Sequence, residues 1–473
     1  MSDRSLVTMA RQIAGGELSA LEAVDDVIAR IERHEPQLSA VITLAADRAR
    51  AEARQRDAER ARGELLGPLH GVPIAVKDLQ ETAGIATSYG FAALRDNVPA
   101  DDCIMVERLR AAGAIVVAKT NTPALGALGE TKNRLQADGR NPWNLMCTPG
   151  GSSGGSAALV AAGVLPFATG TDAAGSITAP ASFCGVFGMK PTHGRIPTWP
   201  YSRDSRLLAD PGPITLAVED AALVMNLTAG VDPRDAVSVR EAPEDYVAAA
   251  RRGRDADTPL AGLRVAHSPR FGHFPADAEV TAGVAAFAES LADLGAQVEV
   301  ADPPVENPFD LYMPIYITDL LAATSELDVD WDSELDEETR GELSAYPPIS
   351  AAEYVTLLDR LWVFRRSLAD FLSSYDLILT PSTASTAFPL GEPPQTLGGE
   401  RVDGTWTSYM PFSLAYNLAG LPTASLPAGL TRGGLPMGAM LGGSAGSDAL
   451  LLRVAAAVEA RTTWPSATLG ATA

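Results

Sequence analysis

Short apolar runs alternating with longer amphipathic stretches predict an α/β fold for this chain. Three observations carry the prediction. Residues 72–76 and 114–118 are short, apolar and rich in Val and Ile, as buried strands are. Between them, residues 103–112 have the spacing of a helix. Two Gly- and Ser-rich loops, residues 150–156 and 170–176, flank an Ala- and Val-rich segment, 157–168, that suits a buried helix. Glycine serves where backbone turns sharply or approaches a ligand closely. Both loops also offer serine hydroxyls, so residues 148–192 read as a nucleophile site around which the chain is organised.

The remaining elements follow in order. Residues 1–62 read as helical. Ser19-Ala20-Leu21-Glu22 fits a capping box, and Leu21, Val24, Val27, Ile28 and Ile31 share one face. A second helix rich in Ala and Arg is expected over residues 40–62. Past the central stretch, a turn is expected at residues 212–215 and a helix over 218–229. Strands are expected at 263–266, 297–300 and 376–380, with helices over 280–294 and 450–460. An acidic run, residues 326–342, places Asp328, Asp330 and Asp332 as a calcium loop would. Ser333 stands where that loop needs Gly, and Thr339 where it needs Glu, so a solvated loop or helix end is expected instead. No repeat or linker divides the chain, which reads as one domain over residues 1–473. Within it, residues 1–62 are N-terminal helices, 67–230 a catalytic core, 231–345 a variable region covering part of a pocket, and 346–473 the remainder.

Composition narrows the function. At 473 residues with 46 % apolar and 20 % charged residues, the chain has ample material for a core. A net charge of −22 argues against nucleic acid or an anionic membrane as partner, since both need a basic footprint. Neither an apolar run long enough to span a bilayer nor a secretory leader is read, so a cytoplasmic location is expected. Cys103, Cys147 and Cys184 form neither a disulfide framework nor a zinc pattern.

Lysine usage is sharper. Of 37 basic residues only Lys77, Lys119, Lys132 and Lys190 are lysines. Arginine stays protonated in proteins, whereas a buried lysine can lose its proton and act as a base. Lys77, at the end of the apolar run 72–76, is the strongest candidate for that role.

Gly151-Ser152-Ser153-Gly154-Gly155 matches the G-x-S-x-G elbow with Ser153 as nucleophile. That elbow needs a hydrophobic strand before it. Here Pro142 and Pro149 precede it, and only His193, His267 and His273 lie downstream as partners. A phosphate-cradling reading fails too, because no Walker lysine follows.

A different combination fits better: a strand-end lysine, the TPGGSSGGSAA loop and the GTDAAGS loop, with Ser152 and Ser176 lying 24 residues apart. Together with HGVPIAVKD, AKTNTP, NPWN, FCGVFGMKPT, GPI and NLAGLPTASLPAGL, in that order over nearly the whole chain, it resembles the amidase signature family of Ser–cis-Ser–Lys hydrolases. The resemblance implies a central mixed β-sheet surrounded by α-helices. It implies Ser176 as nucleophile, Ser152 as a bridging serine in a cis peptide and Lys77 as base. The N–H groups of Ala173, Ala174, Gly175 and Ser176 would form the oxyanion hole. No metal or cofactor is implied. Lys77 must be neutral to take a proton; bringing a lysine from near ~10.4 to near neutrality needs about 4 kcal/mol, for which burial is a source. An alkaline optimum, with the rate falling below about pH 7, is therefore expected.

The chain departs from the family pattern in places. Ala174 replaces a usual Gly, and its N–H still serves if φ stays negative. Thr178 stands where an Arg is common, so Asp172 is expected to find Arg195 or a backbone donor instead. Ala124 replaces a frequent Glu. Ser153, Asp172, Thr178 and Arg195 are thus supporting candidates. Gly126, Ala127, Leu128 and Gly129, with residues 312–317, are pocket candidates; neither stretch is charged, which favours an uncharged substrate.

The expected activity is hydrolysis of a small amide, anilide or carbamate through a Ser176 acyl-enzyme, by a monomer or homodimer. The glutaminase subunit of a tRNA amidotransferase, sharing the fold and triad, is the close alternative. An elbow-type esterase using Ser153 and a histidine, or a non-catalytic binding protein on the same scaffold, are the others.

Overall fold

The computed structural model describes residues 5–200, 205–325, 327 and 330–467. Its centre is an eleven-stranded sheet. In spatial order the strands are Val41–Leu44, Ile115–Thr120, Pro73–Lys77, Phe167–Asp172, Asp210–Thr215, Phe187–Lys190, Thr423–Leu430, Pro436–Gly443, Leu377–Pro381, Arg264–His267 and Gln297–Val300. Parallel pairs at 73–77/115–120 and 264–267/377–381 coexist with antiparallel ones across the middle, so the sheet is mixed. Helices pack around it, which makes the fold α/β with a central mixed sheet.

The strands expected at 72–76, 114–118, 263–266, 297–300 and 376–380 form within a residue or two of those limits. So do the helices expected over 103–112, 218–229, 280–294 and 450–460. Ser19 and Glu22 make the capping box, and Val24, Val27, Ile28 and Ile31 of its helix are buried.

Four expectations are corrected. Residues 40–62 are not one helix: Val41–Leu44 is an edge strand and the helix runs Ala46–Ala61. The β-branched Val41, Ile42 and Thr43 suit the pleated edge beside Ile115–Thr120 better than a helix. The turn expected at 212–215 is the strand Asp210–Thr215. Its prolines are tolerated because the neighbouring strand Phe187–Lys190 pairs only with Ile214 and Thr215, leaving Pro211 and Pro213 one neighbour. The expected buried helix over 157–168 is shifted to Gly154–Ala161, and Phe167–Asp172 turns half of the second loop into strand. Gly155 in the first turn of that helix leaves no room for a side chain, since a Cβ there would lie 2.5 Å from the Asn121 backbone nitrogen, so the helix end packs directly on the chain after Ile115–Thr120. In the acidic run, Asp328 lies outside the described residues, while Trp331–Glu334 and Glu337–Ala345 are short helices.

Two apolar clusters divide the interior. One lies around the sheet and the N-terminal helices, including Val72, Ile74, Val76, Leu159 and Phe167. The other gathers Leu79, Leu125, Tyr312, Tyr316, Phe388, Trp406 and Met410 above the strand ends. The two glycine-rich stretches meet between them.

Candidate active site

Lys77 closes the strand Pro73–Lys77, third from one edge of the sheet, which is buried throughout and flanked on both sides by strands. Its side chain is 0 % exposed. The backbone N–H donates to Thr169 Oγ1 at 3.0 Å, which fixes the strand end. Nζ reaches Ser152 Oγ at 2.7 Å, Thr171 Oγ1 at 2.9 Å and the Thr171 carbonyl at 3.3 Å. A buried ammonium or amine needs such partners, and here one of them is a serine hydroxyl. Ser152 follows a cis peptide bond with Gly151. Gly151 has no room for a side chain: a Cβ would sit 2.6 Å from the Leu128 carbonyl and 2.8 Å from the Glu130 nitrogen. The strip 126–130 therefore lies directly over the Gly151–Ser152 peptide.

Ser176 lies between the strand Phe167–Asp172 and the helix Thr178–Cys184, and its carbonyl accepts from Ser153 N at 3.1 Å. The Asp172 carboxylate organises the loop before it. Oδ1 accepts from Gly175 N at 2.7 Å, and Oδ2 from Ile177 N at 2.8 Å and Thr178 N at 3.3 Å. Asp172 is thus met by backbone donors, and also by Asn417 Nδ2 at 3.1 Å, rather than by Arg195. Arg195 belongs elsewhere: Nη1 donates to the Glu241 carbonyl and Nε lies 3.7 Å from Asp448. At position 178 the small threonine is wholly buried and turns Oγ1 back to the Gly175 carbonyl at 3.4 Å.

Among the described residues, the N–H groups of Ala173, Ala174 and Ser176 make no hydrogen bond to the protein. Gly175 differs from the expectation, because its N–H is taken by Asp172. Ala174 is not among the residues with positive φ, so it keeps an ordinary backbone with its N–H available.

A narrow pocket joins these groups. Gly126, Ala127, Leu128, Gly129, Ala173, Ala174, Ser176, Tyr312, Tyr316, Trp406 and Met410 line it, and none is charged. The pocket candidates 126–129 therefore meet the candidate nucleophile. Tyr312 and Tyr316 are four apart on the helix Phe309–Ala323, so both project to one face. Their rings stack at 5.4 Å between centroids, and Trp406 stands edge-on to them at 6.1 and 6.4 Å. Trp406 is in turn fixed by Nε1, which donates to Glu342 at 2.7 Å. Burial, reinforced by the neighbouring carboxylates of Glu338, Asp336 and Asp403, pushes Glu342 up to about 8.

Ser153, the elbow candidate, is tied to Thr171. It is fully buried, Oγ donates to the Thr171 carbonyl at 3.3 Å, and none of the hydrogen bonds of the described histidines reaches it. Lysine usage is accounted for in part: Lys77, Lys119 and Lys190 are all 0 % exposed, while Lys132 pairs with Glu338 nearer the surface. Lys119 lies 3.9 Å from Asp78, the residue after Lys77, and donates to the Gln80 carbonyl, Thr82 and Thr87. Desolvation lowers Lys119 to about 8 and raises Asp78 to about 6, each opposed by the other's charge. Among the described residues, no three His, Cys, Asp or Glu cluster as a metal site, and no helix is long and apolar enough to cross a membrane.

Sequence reasoning missed Thr169, Thr171, Ser413 and Asn417, while Tyr312, within the pocket candidates 312–317, does line the pocket. Thr171 and Asn417 lie inside the GTDAAGS and NLAGLPTASLPAGL stretches, so a signal for them existed. Ser413 and Trp406 lie in no motif, and only folding brings them to the loop.

Known proteins bear on this geometry. The amidase family profile matches residues 22–452. An acylamidase of Rhodococcus erythropolis is 36 % identical, covering 97 % of this chain and 96 % of that protein. A glutamyl-tRNA(Gln) amidotransferase subunit of Thioalkalivibrio sulfidiphilus is 35 % identical over 98 % of both chains. Among solved structures, a bacterial aryl acylamidase of the amidase signature family superimposes with a TM-score of 0.90 at 29 % identity, covering 98 % of this chain and 96 % of its own. With the strand-end lysine, the two serine loops and the mixed sheet in place, the chain belongs to the amidase signature family of hydrolases.

Proposed function

We propose that the protein is an amidase that cleaves the C–N bond of a small, uncharged linear amide, anilide or carbamate through a Ser176 acyl-enzyme. The observation that carries this reading is the 2.7 Å contact of the fully buried Lys77 Nζ with Ser152 Oγ, beside a pocket that Ser176 lines. A serine hydroxyl is a poor nucleophile without a base. Ser176 Oγ attacks the acyl carbon, its proton passes to Ser152, and the proton of Ser152 passes to Lys77. Negative charge on the substrate oxygen is met by the N–H groups of Ala173, Ala174 and Ser176. Collapse returns a proton from Lys77 through Ser152 to the leaving nitrogen, without which an amine departs badly. Water then hydrolyses the acyl-enzyme along the same path in reverse.

The pocket supports an uncharged substrate. Its walls are glycine, alanine, leucine, methionine and three aromatic rings, so a free α-amino or carboxylate group would enter without a partner. That weighs against the glutaminase reading, although the 35 % identity to an amidotransferase subunit keeps it as the second candidate. An aromatic or alkyl acyl or amine group would instead fill the space against Tyr316 and Trp406.

The test is labelling with a fluorophosphonate and mapping the modified peptide. An adduct on Ser176 that Lys77→Arg abolishes supports the triad, because arginine keeps the charge but cannot take a proton. An adduct on Ser153 would overturn it. Turnover of anilides and urethanes by the lone chain supports the amidase reading; activity appearing only with co-purified partner subunits and glutamine would favour the alternative.

A further inference from the structure

We infer that Tyr312, Ser413 and Asn417 are positioning residues that hold the loop 172–175 with its N–H groups turned toward the substrate. This deepens the acyl-enzyme reading and rests on it.

Three consecutive carbonyls of that loop are each taken by a side chain from another part of the chain. The Asp172 carbonyl accepts from Asn417 Nδ2 at 3.0 Å, the Ala173 carbonyl from Tyr312 Oη at 3.0 Å, and the Ala174 carbonyl from Ser413 Oγ at 2.5 Å. In a planar trans peptide the carbonyl and the following N–H point in opposite directions. Fixing the directions of the Asp172 and Ala173 carbonyls therefore fixes the opposite directions of the Ala173 and Ala174 N–H groups, and both residues line the pocket wall beside Ser176. The third peptide is fixed at both ends, since Gly175 N–H donates to Asp172 Oδ1 at 2.7 Å. Asn417 also touches that same Oδ1 at 3.1 Å, so one amide group braces the loop through both backbone and carboxylate.

All three donors are buried, with Tyr312 0 %, Asn417 1 % and Ser413 2 % exposed. Among the described residues no backbone N–H reaches the Ala173 or Ala174 carbonyl, so these side chains satisfy acceptors that would otherwise be orphaned. Gly175 makes the approach of Ser413 possible. Its φ is +107°, and a Cβ there would lie 2.5 Å from Ser413 Oγ. With Thr178 too short to span the loop, the brace comes from outside it, through the helices Phe309–Ala323 and Leu414–Ala419 and the turn before the latter. Without the brace, the Ala173–Ala174 peptide can rotate and present a carbonyl where a donor is needed. That repels the developing oxyanion but leaves ground-state binding nearly unchanged. Tyr312 is also part of the pocket wall, so the same residue that meets the substrate fixes a donor for its transition state.

The experiment uses Tyr312→Phe, which keeps the ring and deletes one oxygen, together with Ser413→Ala and Ser413→Thr. Each is compared with wild type for kcat and KM on an anilide, and for inhibition by a trifluoromethyl ketone, which forms a tetrahedral adduct. Tyr312→Phe and Ser413→Ala are expected to lower kcat about 10- to 100-fold, somewhat less than outright removal of an oxyanion donor. KM should stay within about twofold, and ketone affinity should fall in proportion to kcat/KM. Ser413→Thr, which restores a hydroxyl, should recover most of the loss. Unchanged kcat in both deletion variants overturns the inference, as does lost kcat with undiminished ketone affinity. Should Ser413→Ala fail to fold, Tyr312→Phe decides alone. A wild-type enzyme that forms no ketone adduct on Ser176 would instead overturn the acyl-enzyme reading itself, a result distinct from adducts that form equally in wild type and variants.

Discussion

The floor and the cover of the pocket are built on different terms. The floor consists of the end of Pro73–Lys77, the Gly151–Ser152 peptide and residues 172–176. It is held mostly through its backbone groups: strand pairing on both sides of Pro73–Lys77, the Asp172 carboxylate collecting three N–H groups, three loop carbonyls met by Asn417, Tyr312 and Ser413, and glycines where side chains would collide. The cover consists of Tyr312 and Tyr316 on the helix Phe309–Ala323 and of Trp406 and Met410 from the segment 406–410, distant in the chain, and it is held by ring contacts and a few side-chain hydrogen bonds. A floor of this kind tolerates almost no substitution, because each group has one geometry in which it works. A cover made of apolar contacts can exchange one ring for another and change which substrate fits. On the proposed acyl-enzyme reading, chemistry and selectivity are thereby separated in space, except at Tyr312, which belongs to both.

Substitutions can break or sharpen that contrast. The largest effect is expected in the floor: Lys77→Arg or Ser176→Ala should lower kcat by about 10⁴-fold or more, measured by single-turnover hydrolysis of an anilide. Loss of tenfold or less would mean that the floor is not the reacting centre. Next comes the buried pair just behind it. Lys119→Met leaves Asp78 buried without its cation, so that it must either stay as an uncompensated charge or take up a proton, and should cost about 3–5 kcal/mol in urea unfolding. A wild-type unfolding midpoint would show that the pair contributes little to holding the segment after Lys77.

In the cover, Trp406→Ala should raise KM about tenfold, roughly 1.4 kcal/mol of lost apolar contact, and move the preference among anilides of different size, with kcat falling less than KM rises. A change in kcat alone would contradict the division between floor and cover. The smallest effect concerns pH. Glu342 titrates near 8 when folded, above the ordinary 4.5, so the folded state holds the extra proton between those values. Its contribution to stability is full below the ordinary value and is lost as pH rises toward about 8. Glu342→Gln still offers an acceptor to Trp406 and does not ionise, so its melting temperature should fall less than that of wild type between pH 5 and 8 as differential scanning fluorimetry follows it. Equal slopes would place the carboxylate in water.

Much of the floor is written locally. A valine- and isoleucine-rich run ending in lysine, and glycines beside serines, are features of neighbouring residues, so Lys77 and the two serine loops were legible as candidates before folding, and the family resemblance singled out Ser152 and Ser176 within them. Local signals were also misleading where context reversed them. Pro211 and Pro213 suggest a turn, yet they sit in a strand because one flank lacks a neighbour beside them. Val41–Thr43 next to an arginine-rich helix looks helical until the edge of the sheet claims it.

By itself the amino-acid sequence determined the α/β class and the family resemblance, and through that resemblance named one lysine and two serines as candidates, since periodicity and short motifs act over a few residues. Only the tertiary structure decided that Asp172 is met by its own loop and Asn417 rather than by Arg195, that Gly175 N–H is spent on Asp172, and that Tyr312, Ser413 and Asn417 converge on three adjacent carbonyls. These partners stand 139 to 245 positions apart in the chain. A hydrogen bond requires approach to about 3 Å, which no local pattern encodes and only the packing of whole helices against the sheet can supply.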